Sequence, residues 1–183
     1  MYYNLTDDLS IPDRWYLDEI YSSDGEIDIW EYNSIGPITV PDARLTVDVS
    51  YDGAPLDITF AGFDVLIGSS KVKELFDKEE VELLPISIKQ IPTAEFYVIK
   101  ILKEVDCIDR EKSDFTVWEK DDPIRPDLEG EFSSFFEMVV NPAMLAGYDI
   151  VRVKGYNNAI IVSDNLKGKM EKLKISGVLF ESV

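Results

Sequence analysis

Carboxylates are the reactive groups this chain carries in quantity: 36 Asp and Glu stand against 18 Lys and Arg, with no histidine and one cysteine, Cys107. The lack of histidine removes Ser-His and Cys-His nucleophile arrangements, the usual zinc and non-haem iron sites, and the commonest general base near neutral pH. A two-carboxylate hydrolase would need one cleft with its acids ~5 to 9.5 Å apart and one of them raised in pKa. Among so many acids no pair stands out. Asp106, Asp109, Ser113 and Asp114 offer oxygen ligands for a hard cation. Their spacing is not that of a calcium loop and the glycine for its tight turn is missing, so capping and turn hydrogen bonds are expected instead. Cys107, between Asp106 and Ile108 and close to Asp109, is expected to be a buried, inert thiol of raised pKa. No catalytic residue, metal ligand or cofactor site follows from these groups.

The same carboxylates suit binding. Net charge is −18 and unevenly spread. Residues 1–64 hold 14 acids and 2 bases, residues 65–150 hold 19 and 10, and residues 151–183 hold 3 and 6. Such a balance disfavours nucleic acid and anionic membranes and favours a basic partner. The front is also rich in Trp and Tyr, residue types that anchor interface centres. The candidate contact surface is therefore Asp24, Glu26, Asp28, Trp30 and Glu31, joined by Asp121, Asp122 and Asp127 of a proline- and acid-rich loop. No run approaches the ~18 to 20 apolar residues of a membrane span, the N-terminus has no signal-peptide pattern, and a lone cysteine suits a reducing compartment. A cytoplasmic address is expected.

These residues need elements to hold them. The clearest unit is the last: Ile160–Val162, then Ser163 or Asp164 capping a helix with Leu166, Met170 and Leu173 on one buried stripe, then Gly177 and a strand from Val178. Gly68-Ser69-Ser70 opens a second helix bearing Val72, Leu75 and Phe76. Leu45, Val47 and Val49 alternate, Asp52-Gly53 turns, and Ile58 and Phe60 follow, which predicts a hairpin. Val81–Ile91 reads as a strand. Glu95–Val105, apolar on both faces, reads as a central one. Phe132–Val140 and Val151–Val153 add extended pieces, Glu119–Gly130 is a surface loop, and residues 1–32 read as loops and edge strands. The expectation is one domain over 1–183, α+β, with a mostly antiparallel or mixed sheet flanked by two or three helices.

Four pieces, in this order and spacing, are similar to the Imm11 immunity-protein family of bacterial polymorphic toxin systems. They are Leu66–Phe76, Val81–Ile86, Val105–Ser113 with Asp109 and Ser113 four apart, and Ile160–Lys167 running to Ser176–Phe180. The resemblance covers about residues 60–183 and departs at Gly147–Val153, where a phenylalanine-arginine pair is expected. It implies an antitoxin that binds and blocks a cognate toxin without catalysis, and no catalytic residue carries over. Two other readings stay open on the residues alone: an adaptor for a basic protein, and the carboxylate hydrolase.

Overall fold

The computed structural model describes residues 1–40 and 43–183. In chain order the strands are β1 (Tyr2–Asp7), β2 (Tyr16–Ser22), β3 (Leu45–Tyr51), β4 (Ile58–Ala61) and β5 (Val65–Ser69). Next come β6 (Val81–Ile88), β7 (Phe96–Ile101), β8 (Glu104–Val105), β9 (Asp114–Val117) and β10 (Phe132–Glu137). The chain closes with β11 (Ile150–Val153), β12 (Tyr156–Ser163), the helix α1 (Asp164–Lys172) and β13 (Val178–Ser182).

This corrects the expected α+β class. The chain is mostly β, with 13 strands in three sheets, one of them a nearly closed barrel, and one α-helix among the described residues. The second expected helix closes only as a 3-10 turn, Ser70–Glu74, although Ser69 caps it as its position predicts by accepting from Lys71 N. Val72 and Leu75 are buried by that one turn. Asp77 then draws the chain away, its carbonyl accepting from Glu80 N and Val81 N, so a longer helix has no apolar face left to bury.

The six-stranded sheet runs β2-β3-β6-β7-β5-β4 and mixes a parallel β3–β6 pair with antiparallel neighbours. Its end strands β2 and β4 return against each other, which nearly closes the barrel. A side chain at Gly62 would there meet Glu19 at 2.9 to 3.1 Å. Inside lie Trp15, Ile20, Tyr32, Val47, Ile67, Ile88 and Val98, and Trp15 Nε1 donates to Thr59 Oγ1 at 2.8 Å. The predicted hairpin of β3 with β4 does not form. After β3 the chain instead crosses the segment before β2, with Ala54 N donating to Asp13 O at 2.6 Å and Trp15 N to Ala54 O at 3.2 Å.

β7 is central as its sequence predicts, between β6 and β5. Its period of two splits two cores: Phe96 and Val98 point into the barrel, while Ile99 and Ile101 point out to a second sheet. That sheet runs β13-β1-β12-β11-β8. Leu5, Ile150, Ile160, Val162, Leu166, Met170 and Val178 fill the space between the two sheets. Its far face is covered by the β9–β10 hairpin, where Cys107, Phe132, Leu145, Val151 and Ile161 form a third core. β1 is thus an interior strand and not the edge expected of the front segment.

The closing unit forms strand, helix, strand as predicted, with Ser163 Oγ accepting from Leu166 N. Leu166 and Met170 are buried, but Leu173 is exposed, since the helix ends there and the chain turns toward Gly177. Asp57 clasps this turn to the barrel: it accepts from Ser176 N and Oγ at 3.1 Å, Ser69 Oγ at 3.1 Å and Lys71 Nζ at 2.9 Å. Burial alone would raise the pKa of Asp57, yet the bonds from Lys71, Ser176 and Ser69 outweigh it and hold the group below the usual carboxylate range. Asp149 behaves alike, burial being outweighed by Ser163, Lys169 and Asn165. A carboxylate depressed in the folded state contributes stability above its unfolded pKa and loses it as pH falls through the folded value. Asp57→Asn is therefore expected to cost ~1 to 3 kcal/mol at neutral pH and to flatten the acid limb of a urea-denaturation series below pH ~4.

Candidate functional site

The acidic, aromatic front is built on a 3-10 turn, Ile29–Tyr32, where an extended piece was expected. Asp28 caps it, its carboxylate accepting from Trp30 N at 3.0 Å. Tyr32 is buried in the barrel, which plants the turn, and Trp30 stands out from it at 57% exposure. The indole packs on Phe63 with ring centroids 5.0 Å apart. Glu31 reaches back to Thr39, accepting from its backbone N at 2.6 Å and from its hydroxyl, and these bonds hold its carboxyl below the usual range.

Under the turn lie two buried cations that sequence reasoning did not single out as site residues. Lys100 donates to the carbonyls of Glu31 and Ser34, the latter at 2.7 Å. Arg152 donates to the carbonyl of Asn157 and to Asn33 Oδ1, the latter at 3.0 Å. Asn33 in turn donates to the carbonyl of Phe63. Both cations are 1% exposed and neither has an ion-pair partner among the described residues. Burial pushes the Arg152 guanidinium down to about 10, against the opposing pull of Asp64. Burial also lowers Lys100; Glu82 opposes this and the charge of Arg152 adds to it. The signal was present in the sequence, as a lysine inside the apolar run Phe96–Ile101 and an arginine between Val151 and Val153.

The eight predicted contact residues divide. Asp24 is engaged by Arg44, which donates from Nε at 3.1 Å, Nη2 at 3.0 Å and its backbone N at 2.9 Å, and lies low in pKa for that reason. In the loop, Asp122 accepts from Ile124 N and Arg125 N at 2.8 and 2.9 Å. Asp127 is paired with Arg125 at 2.8 and 3.1 Å, which lowers its pKa. Asp121 takes a left-handed conformation, φ 62°, at the exposed tip. Glu26 is exposed. Trp30 and the loop meet: with Asn33, Ser34, Arg125, Leu128 and Glu131 they border a depression of about 530 Å³. Asp24, Glu26, Asp28, Glu31, Asp121, Asp122 and Asp127 are not among its lining residues.

The other candidates prove structural. Asp106 pairs with Arg110 and Asp109 with Lys112, while Ser113 Oγ donates to Val139 O at 3.1 Å and accepts from Val139 N at 3.0 Å. Asp109 and Ser113 thus pin the return strand of the hairpin. Among the described residues no group of three or more His, Cys, Asp or Glu is placed to hold a metal ion. Among the described residues no helix is long and apolar enough to cross a membrane. Glu80 and Asp149 do form a carboxylate pair driven apart in pKa, Glu80 raised chiefly by burial and Asp149 lowered. Both are engaged, Glu80 accepting from Asp149 N at 3.0 and 3.2 Å and Asp149 capping the start of α1 through Ser163 and Asn165.

Cys107 is fully buried, and burial pushes its thiol up to about 11. At pH 8 on the order of one thiol in a thousand would be ionised even if reagent could reach it. A chromogenic disulfide reagent is expected to release no thiolate from the native protein and one equivalent once it is unfolded.

No curated protein sequence matches the chain. A family model described as immunity protein family (Imm11) matches residues 20–183, beginning well before the four motif-bearing pieces and taking in the end of β2 and the Trp30 turn. By that match, which spans nearly the whole barrel and all of the third core, the chain belongs to the Imm11 immunity protein family.

Proposed function

We propose that this protein is a cytoplasmic antitoxin of a polymorphic toxin system, which neutralises its cognate toxin by binding it and carries no catalysis of its own. Family membership supports immunity as the role. The observation that carries the binding mode is Trp30, held out on a turn that is fixed from below by Lys100 and Arg152. A large aromatic that is ordered before binding loses little entropy on contact and suits the centre of an interface. The charge of −18 supports a basic toxin surface, since charge complementarity speeds association and depends on salt. Within the predicted surface, Trp30, Glu26 and Asp121 are the groups left to meet a partner. Asp24, Asp28, Glu31, Asp122 and Asp127 hold the scaffold.

The test is to express the toxin reading frame beside this one in a host, with and without this protein, and to follow growth and co-purification. Rescue with a stable complex is the expected result. A neighbour that kills equally in both cases, or that never co-purifies, overturns the reading. Given a complex, Trp30→Ala is expected to weaken it ~30-fold or more, in the range of an aromatic hot spot.

A further inference from the structure

The β9–β10 hairpin covers only part of the outer face of the five-stranded sheet. Tyr2 packs in the third core and Tyr3 and Leu5 against the first, so alternation places Asn4 on the outer face. On β13, Val178 and Phe180 belong to the first core, which puts Leu179 and Glu181 outward. The hairpin packs on β11 and β12 through the third core. Between β10 and β13 is a cleft of about 500 Å³, bordered by Asn4, Phe135, Phe136, Glu137, Tyr156 and Glu181 among others.

Its chemistry is one-sided. Phe136 is 77% exposed, a large apolar side chain held in water. Glu137 and Glu181 have no ion-pair partner among the described residues, and no lysine or arginine borders the cleft. Asn4 Oδ1 is buried without a hydrogen-bond partner. Aromatic faces and two free carboxylates complement a side chain with an apolar stem and a cationic, donor-rich head. An anion would be repelled, and a purely apolar group would leave the carboxylates desolvated. Tyr156 borders both this cleft and the Trp30 depression.

We propose that the cleft between β10 and β13 receives an arginine or lysine side chain of the protein this chain binds. This rests on the antitoxin reading for the partner's identity, and extends the contact surface from Trp30 across Tyr156 to the far side of the hairpin. No sequence motif pointed there.

Two measurements test it. The first titrates isotope-labelled protein with acetyl-Gly-Arg-Gly-amide and with the uncharged citrulline peptide, following backbone amides by NMR. Shifts confined to residues 135–139 and 181–183, seen with arginine, lost with citrulline and lost in the Glu137→Gln/Glu181→Gln variant, are expected. Absent shifts, shifts elsewhere, or shifts indifferent to the variant overturn the cleft. The second compares toxin affinity of the wild type and that variant at low and physiological ionic strength, with circular dichroism and urea midpoints confirming that the variant is folded. A loss of ~10-fold or more at low salt with a shallower salt dependence is expected. An unchanged affinity removes the cleft from the interface and leaves immunity standing. Failure of the wild type to bind the toxin at all defeats the antitoxin reading, while the peptide titration still decides the cleft.

Discussion

Gly177→Ala is expected to unfold the protein or leave it barely folded. Gly177 has φ +101°, a backbone conformation L-residues avoid, and a Cβ built on it falls 1.9 Å from the Ile58 carbonyl oxygen. That oxygen belongs to backbone at the start of β4, so no side-chain rotation relieves the contact. The surrounding hydrogen bonds also oppose a shift: Ile58 N donates to Ser176 O at 3.0 Å and Asp8 N to Gly177 O at 3.1 Å. Strain and displaced backbone together should remove about 3 to 5 kcal/mol, a large share of a typical domain's stability. Urea denaturation of Gly177→Ala beside Gly168→Ala checks it. Gly168 lies within α1, and a methyl group added there meets nothing within 4 Å, so alanine should be neutral or stabilising by up to ~1 kcal/mol. Similar midpoints for the two variants would refute the argument.

Arg152→Ala should be nearly as costly and should also be felt at the proposed binding surface. Truncation opens a cavity at a 1% exposed site and strands two acceptors, Asn33 Oδ1 and the Asn157 carbonyl. Each buried group left unmet costs ~1 to 3 kcal/mol, so a loss of ~3 to 5 kcal/mol is expected. Asn33 follows directly on the turn that carries Trp30, and both border the same depression. Hydrogen exchange at residues 30–34 should therefore quicken more than the global loss explains, and toxin affinity should fall by more than the unfolded fraction. Exchange that rises uniformly over the chain would show that Arg152 supports the fold without ordering the turn.

The local units were legible where one short stretch contains its own reasons. Ser163 with Leu166 and Met170 gives a cap and a stripe, and Phe96–Ile101 is apolar on both faces because both faces are covered. The closing strand-helix-strand and the central strand follow from those patterns. Partner choice between distant strands was not legible. β3 and β4 flank a turn-like Asp52-Gly53, yet β3 pairs with β2 and β6 while β4 pairs with β5, which buries Val47 inside the barrel and Ile58 in the core between the sheets. The serine-led helix failed for a related reason, since one turn already buries Val72 and Leu75. Of the eight predicted surface residues only Trp30 lines the depression, to which the loop contributes Arg125 and Leu128. The acids could not be ranked from sequence, because whether Asp24 or Asp127 is free depends on Arg44 and Arg125 standing beside them.

β1 hydrogen-bonds on one side to β12 and on the other to β13, through pairs such as Tyr2 with Ser163 and Leu5 with Phe180. β1 therefore waits for β12 and β13, which lie far along the chain. At translation speeds of ~5 to 20 residues per second, β1 spends roughly ten to thirty seconds without either neighbour. Pairings of such sequence separation are also slow to close once the chain is free. On the antitoxin role proposed above, protection would lag synthesis by that interval, and a finished stock would have to be in hand before a toxin arrived.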